Sequence, residues 1–380
     1  MKFLIIKILD DLIKFRSISP NDDGAIEYCK SFLENLGFLC QALSFYGVNN
    51  LYAKFGNNDK NLCFAGHVDV VSPLSEWNTN PFELNIVNGI AYGRGVNDMK
   101  GPLSSCLAAI RDIITEGLLP NDVSLSVLLT SDEEIMGDFG TKSVISYLKK
   151  INEKITGCVL CESCSEEKSG EYIKIGCRGS LNIDIISSGT QCHVANSSLI
   201  GNHIHKFIEK LAYFCGTPLD SGSQNFSPSS IQLTSIDSGE NNVRNIVPSK
   251  AKALLNIRFN DNWTFKTLKQ YVTNIFFDEQ FSISFEGFGS PFIGSSPKFV
   301  EFLAQSIEQV TGDKPNIGTK GGNSDALFIK DITDVVEIGS PICNAHIVNE
   351  FIELDDLTKL YNIYKNIMLL FASRYNSSFL

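Results

Sequence analysis

The sequence predicts an α/β fold: a large domain on a mostly parallel sheet with helices on both faces, interrupted by a smaller inserted ferredoxin-like α+β domain. Three observations predict it. Through residue 162, near-continuous apolar strand segments alternate with helical ones, as in a parallel sheet covered on both faces. From Ser180 to about Gly289 the order becomes strand, helix, strand, strand, helix, strand, which is that of a ferredoxin-like unit. After it the first rhythm returns. A chain of 380 residues is also long for one core. The expected division is residues 1–179 and 293–380 for the large domain and 180–292 for the inserted one.

In order along the chain, "MKFLIIKILDDLIKFRSISP" places Ile5, Ile6, Leu9, Leu12 and Ile13 at helical spacing, so an amphipathic helix opens the chain. Lys7, Asp10 and Asp11 break the apolar run, and no small-residue cleavage site follows, which argues against a signal peptide. "LYAKFG", "NLCFAG", "VSLSVLLTS" and "ITGCVLC" read as strands, with helices beginning near Asp23, Gly101 and Thr141. In the inserted domain "SLNIDIISSG", "SIQLTSI", "AKALLNIRF" and "FSISFEGF" read as strands, and "NHIHKFIEKLAYF" and "TFKTLKQYVTNIFF" as helices. Helix "SPKFVEFLAQSIEQVTG", strand "DVVEIG" and helix "LDDLTKLYNIYKNIMLLFAS" complete the large domain.

Hydrophobic residues at 43% and charged residues at 20% describe an ordinary soluble globular protein. A net charge of −11 without a Lys/Arg run argues against a nucleic-acid surface. No segment has the ~20 apolar residues of a membrane span, and a cytoplasmic location is expected. Eleven cysteines without an export signal read as reduced, mostly buried thiols. In "CVLCESC" the strand reading places Cys158 and Cys161 on opposite faces, as an offset of three does in a strand, so Cys158, Cys161 and Cys164 read as core rather than zinc ligands.

The chemistry gathers where strands of the large domain end. "CFAGHVDVV" closes an apolar run with His67 and Asp69, which share one side of an extended segment. The aspartate can then hold one imidazole nitrogen while the other faces outward, the usual setting of a metal-binding histidine. "GRGVNDMKG" carries Asp98, "LLTSDEEIMG" carries Glu133 and Glu134, "VLCESC" carries Glu162 and "PICNAHIVNE" carries His346. Singly, each also suits a helix cap or a solvated loop. Together, the donors His67, Asp98, Glu134, Glu162 and His346 on separate loops suit a pair of zinc ions, and the spare Glu133 can serve as general base.

From "GHVDVV" to "HIVNEFIELDDL" the chain resembles the M20 metallopeptidase family over nearly its whole length. The resemblance implies two Zn²⁺ per subunit, with Co²⁺ able to substitute. It assigns His67 and Glu162 to one ion, Glu134 and His346 to the other, and Asp98 to the bridge. It makes Asp69 the residue that orients His67, Glu133 the base, and His193 of "QCHVAN" an oxyanion contact. "GCRGSLNIDI" is similar to the RRGS segment of the desuccinylating members, which implicates Arg178 and Ser180. "GGNSDALFI" is similar to their GGTSDARFI loop, which implicates Gly321, Gly322 and Ser324. Asn245 of "NVRNIVP" and Arg258 of "NIRF" complete the expected contacts to an anionic small-molecule substrate. Arginine suits that role because its planar fork pairs bidentately with carboxylate.

That branch implies hydrolysis of N-succinyl-L,L-2,6-diaminopimelate to succinate and L,L-2,6-diaminopimelate in lysine and peptidoglycan precursor biosynthesis, by a homodimer joined through the inserted domain. The alternatives are an N-acetylornithine deacetylase or other N-acyl-amino-acid hydrolase, a dipeptidase, and a non-catalytic binding protein. Three positions depart from the family pattern: Asn323 for Thr, Asn196 for Tyr, and Ser163 for the proline usual after the metal glutamate.

Overall fold

The structure is a computed structural model that describes residues 1–74, 76–135, 137–238 and 243–374. The chain divides into two compact units, Met1–Gly176 with Ile293–Leu380, and Cys177–Phe292.

The larger unit is built on an eight-stranded sheet, in the order Leu39–Phe45, Val48–Phe55, Ser124–Thr130, Asn61–His67, Gly157–Leu160, Val335–Glu337, Tyr172–Lys174, Asn316–Gly318. The four central strands run parallel. They are near-continuous runs of apolar and small residues; every residue of Asn61–His67 and Ser124–Thr130 is buried. Alternate residues serve opposite faces. Phe64, Val127 and Val159 join a core with helices Lys2–Ile13, Lys100–Thr115, Pro297–Thr311 and Leu354–Arg374. Leu128, on the other side, is buried as well, and helix Thr141–Lys150 packs on its strand. Cys161 lies in the main core, and Cys158 and Cys164 are buried free thiols.

The sheet is mixed rather than uniformly parallel. Leu39–Phe45 was not foreseen as a strand. It pairs antiparallel with Val48–Phe55 through a two-residue turn in which Tyr46 (φ 51°) and Gly47 (φ 88°) are both left-handed. That is the geometry a tight hairpin requires, but tyrosine is not a residue that announces it. Val48–Phe55 also runs antiparallel to Ser124–Thr130. The short strands Tyr172–Lys174 and Asn316–Gly318 extend the opposite edge. A separate three-stranded sheet pairs Phe351–Glu353 with Ile90–Tyr92 and Asn85–Val87. Among the described residues no helix is long and apolar enough to cross a membrane.

The smaller unit has a four-stranded antiparallel sheet in the order Ser230–Asp237, Lys250–Phe259, Gly179–Ser188, Phe281–Phe288. Helices His203–Gly216 and Phe265–Ile275 supply Phe207, Leu211, Phe214, Leu268 and Val272 to a core with Leu181, Ile183, Ile185 and Leu255. Element order and strand order are those of a ferredoxin-like unit. A two-stranded ribbon, Cys192–His193 with Ile246–Val247, belongs to the same unit.

Candidate active site

Parallel sheets place loops beyond the carboxyl ends of their strands, where ligands bind. In the larger unit those loops bring four carboxylates and two imidazoles together. His67 is the last residue of its strand, and Asp132–Glu134 and Glu162 follow theirs. His67 Nδ1 lies 2.9 Å from the backbone carbonyl of Asp69, so it donates there and Nε2 faces the cluster. Nε2 is 3.2 Å from Asp98 Oδ1, 3.6 Å from Glu162 Oε2 and 3.9 Å from Glu133 Oε2. His346 Nε2 lies 3.3 Å from Asp98 Oδ2 and 3.0 Å from Glu134 Oε1. Asp98 therefore presents one oxygen to each histidine. Ligand atoms of His67, Asp98 and Glu134 all lie within 4.8 Å of one another, with Glu162 and His346 on the flanks.

One expectation changes in detail. The carboxylate of Asp69 does not hold His67; its Oδ1 is 3.6 Å from Nδ1, too far for a hydrogen bond. Asp69 orients the ring through its main chain instead. Its carboxylate Oδ2 accepts the Glu134 N–H at 3.1 Å, which ties the two segments together.

The electrostatics favour a cation. Burial raises the carboxyls of Glu133, Glu134 and Glu162, and neighbouring anions add to the rise. Burial opposes protonation of His67, but Asp98 and the surrounding carboxylates outweigh it and push that imidazole up. His346 is pushed up to about 10 by its bonds to Asp98 and Glu134. Glu162 Oε2, facing His67, is buried without a hydrogen-bond partner, an unusual state for a polar atom. Nitrogen and carboxylate donors in this number suit zinc or a similar divalent ion. The residues fit.

Two supporting residues, Glu350 and Asp325, were not singled out in the sequence. Glu350 accepts hydrogen bonds from the backbone of the loop bearing Asp98. Asp325 is buried, accepts from Thr141 Oγ1 at 2.6 Å, and has its carboxyl raised by burial to about 7. Ser163 donates its N–H to Glu162 Oε1 at 3.2 Å and its hydroxyl to the Asn97 carbonyl at 3.0 Å. Gly321 adopts φ +101°, open to glycine alone at little cost, and the Gly322 carbonyl accepts from Lys174 Nζ at 2.7 Å. Ser324 points inward. Its hydroxyl donates to Glu337 Oε1 at 2.6 Å, so it serves the loop rather than presenting a free hydroxyl.

In the smaller unit Ser180 and Arg258 are cross-strand partners, and Asn256 Nδ2 donates to Ser180 Oγ at 3.0 Å. Arg178 donates to the Pro228 carbonyl at 2.9 Å. Burial and the nearby Arg258 both depress its pKa, yet a guanidinium remains charged at neutral pH. His193 is exposed, and its Nδ1 accepts the Ala195 N–H at 3.2 Å. Asn245 is tied to the same ribbon through its carbonyl, which accepts the Val194 N–H at 3.0 Å.

The family profile of peptidase family M20/M25/M40 matches residues 63–370. The chain belongs to this family. Among M20 relatives, succinyl-diaminopimelate desuccinylase of Wolbachia pipientis subsp. Culex pipiens (strain wPip) is 40% identical over 370 residues, covering 96% of this chain and 92% of its own. The protein of the same name from Orientia tsutsugamushi (strain Ikeda) is 39% identical over 390 residues, covering 100% and 98%. Of solved structures, the M20 metallo-carboxypeptidase Sso-CP2 from Sulfolobus solfataricus superposes with a TM-score of 0.79 at 22% identity, covering 97% of this chain and 99% of its own. The YXEP protein of Bacillus subtilis, a dinuclear metal binding peptidase from the M20 family, gives 0.66 at 13%, covering 97% and 98%. At such identities these likenesses speak to the M20 fold alone.

Proposed function

We propose that the chain is a zinc-dependent amide hydrolase that releases succinate from N-succinyl-L,L-2,6-diaminopimelate. The observation that carries the chemistry is the placement of Asp98 between His67 and His346, one oxygen to each, with Glu133 beside them. The substrate follows from relatives named succinyl-diaminopimelate desuccinylase at about 40% identity over nearly the whole chain.

His67 and Glu162 would hold one ion, Glu134 and His346 the other, and Asp98 both. Zinc bound there supplies Lewis acidity toward the scissile carbonyl and lowers the pKa of water. Glu133 accepts the proton of the attacking water and returns it to the leaving nitrogen as the amide bond breaks. Arg178 and Arg258, with Ser180 and Asn245, take substrate carboxylate, and Gly321 and Gly322 offer backbone contacts. His193 donates to the developing oxyanion. A cytoplasmic homodimer joined through the smaller unit completes the proposal; the exposed strand Ser230–Asp237 at the edge of its sheet supports it.

Incubation with N-succinyl-L,L-2,6-diaminopimelate should release succinate and diaminopimelate in equal amounts. Chelation should abolish the release and added zinc restore it. Failure of the zinc-loaded protein to release either product contradicts the proposal.

A further inference from the structure

Glu350 is no donor to the cluster, yet it is fully buried beside it. Its Oε1 accepts the N–H groups of Asn97 at 2.8 Å and Asp98 at 3.0 Å. Its Oε2 accepts the Gly95 N–H at 3.0 Å and Arg94 Nη1 at 2.8 Å. Arg94, itself buried, also donates to the carbonyl of Ile347 at 3.3 Å, the residue after His346. The main chain closes the connection, since the Gly93 N–H donates to the Glu350 carbonyl at 3.1 Å. One carboxylate thus joins the loop Arg94–Asp98 to the segment that carries His346. Both oxygens are used, and each bond is charge-assisted.

The opposite flank of the cluster is held by other groups. His67 is oriented by the Asp69 carbonyl at 2.9 Å, and Glu162 by the Ser163 N–H at 3.2 Å. Neither contact is made to Glu350 or Arg94 themselves; Ser163 reaches Glu350 only indirectly, through its bond to the Asn97 carbonyl.

We propose that Glu350, together with Arg94, is a positioning residue for the metal centre, acting through the Asp98 loop and the His346 segment and chiefly on the ion of His346 and Glu134. Its loss weakens the ion of His346 and Glu134 more than the ion of His67 and Glu162, because the Asp98 loop serves both ions while the Arg94 bond to the Ile347 carbonyl serves His346 alone. This rests on the two-ion reading above. A carboxylate that merely stapled the fold would instead lower thermal stability and treat both ions alike.

The test is a calorimetric titration of metal-free protein with Zn²⁺ alone, for wild type, Glu350→Gln and Arg94→Lys. Thermal midpoints and far-UV circular dichroism are recorded alongside. Glu350→Gln keeps the size of the side chain but turns an NH₂ group toward backbone N–H donors. Wild type is expected to bind two ions in resolvable steps. In Glu350→Gln one stepwise affinity should fall by about tenfold or more, the range for losing a residue that orients metal ligands, while the other falls clearly less. Arg94→Lys should weaken the same step by less. Two ions in wild type with both steps unchanged, or both equally weakened, in the variants overturns the role of Glu350 alone. A single ion in wild type overturns the two-ion reading and the selective effect with it. Should Glu350→Gln fail to fold, unchanged binding by Arg94→Lys overturns the proposal.

Discussion

Glu133 and Glu134 are adjacent in sequence and chemically identical, yet the fold separates their work. Glu134 meets His346 at 3.0 Å, while Glu133 lies 3.9 Å from His67 with no histidine at bonding distance. Glu133→Gln should therefore retain metal and fold but lose turnover by about 10²–10⁴-fold, the usual worth of a general base. Metal analysis beside an activity assay checks this, and substantial residual activity would make Glu133 a bystander. Ser163 makes a second prediction. Ser163→Pro removes the N–H that Glu162 Oε1 accepts and the hydroxyl bonded to the Asn97 carbonyl, so zinc affinity should fall; a dialysis isotherm superimposable on wild type would rule that out. At this scale the donors were legible because each ends an apolar strand or sits in its loop. The carbonyl of Asp69 and the carboxylate of Glu350 were not, because main-chain acceptors and buried anchors have no pattern before the chain folds.

The loop that carries Gly321 and Gly322 shows how an element is held. Lys174 and Glu337 lie on neighbouring strands and form a buried ion pair at 2.7 Å. Lys174 also donates to the Gly322 carbonyl, and Glu337 accepts from Ser324. Removing one partner strands a buried charge, which costs about 3–5 kcal/mol. Lys174→Met should lose stability on that order in denaturant unfolding and raise KM more than it lowers kcat. An unaltered KM in folded protein would detach the loop from substrate binding. The strands themselves were legible where they are long and apolar, as in Asn61–His67. The three-residue strands Tyr172–Lys174 and Asn316–Gly318 were not, since so short a run has no measurable period. Nor was the Tyr46–Gly47 hairpin, where tyrosine occupies a left-handed position.

For the whole molecule, the change of rhythm at Ser180 and its return after Gly289 announced a second unit, and the chain divides at Gly176/Cys177 and Phe292/Ile293. The family resemblance implies a homodimer in which His193 serves the partner subunit's site. Mixing Glu133→Ala with His193→Ala under subunit exchange should then restore activity, because one site of each heterodimer carries neither defect. A mixture that stays inactive despite proven exchange assigns His193 to its own subunit. The central claim concerns the acyl group. Arg178 and Arg258, close enough that the second depresses the pKa of the first, are suited to a carboxylate that a succinyl group has and an acetyl group lacks. A site built for a polar group rejects an analogue without it by large factors, on the order of 10⁴ in favourable cases. The direct measurement is kcat/KM of the zinc-loaded protein for N-succinyl-L,L-2,6-diaminopimelate against N-acetylornithine. A preference for the succinyl substrate of about 10²-fold or more is expected; equal rates, or a preference for acetylornithine, would contradict it.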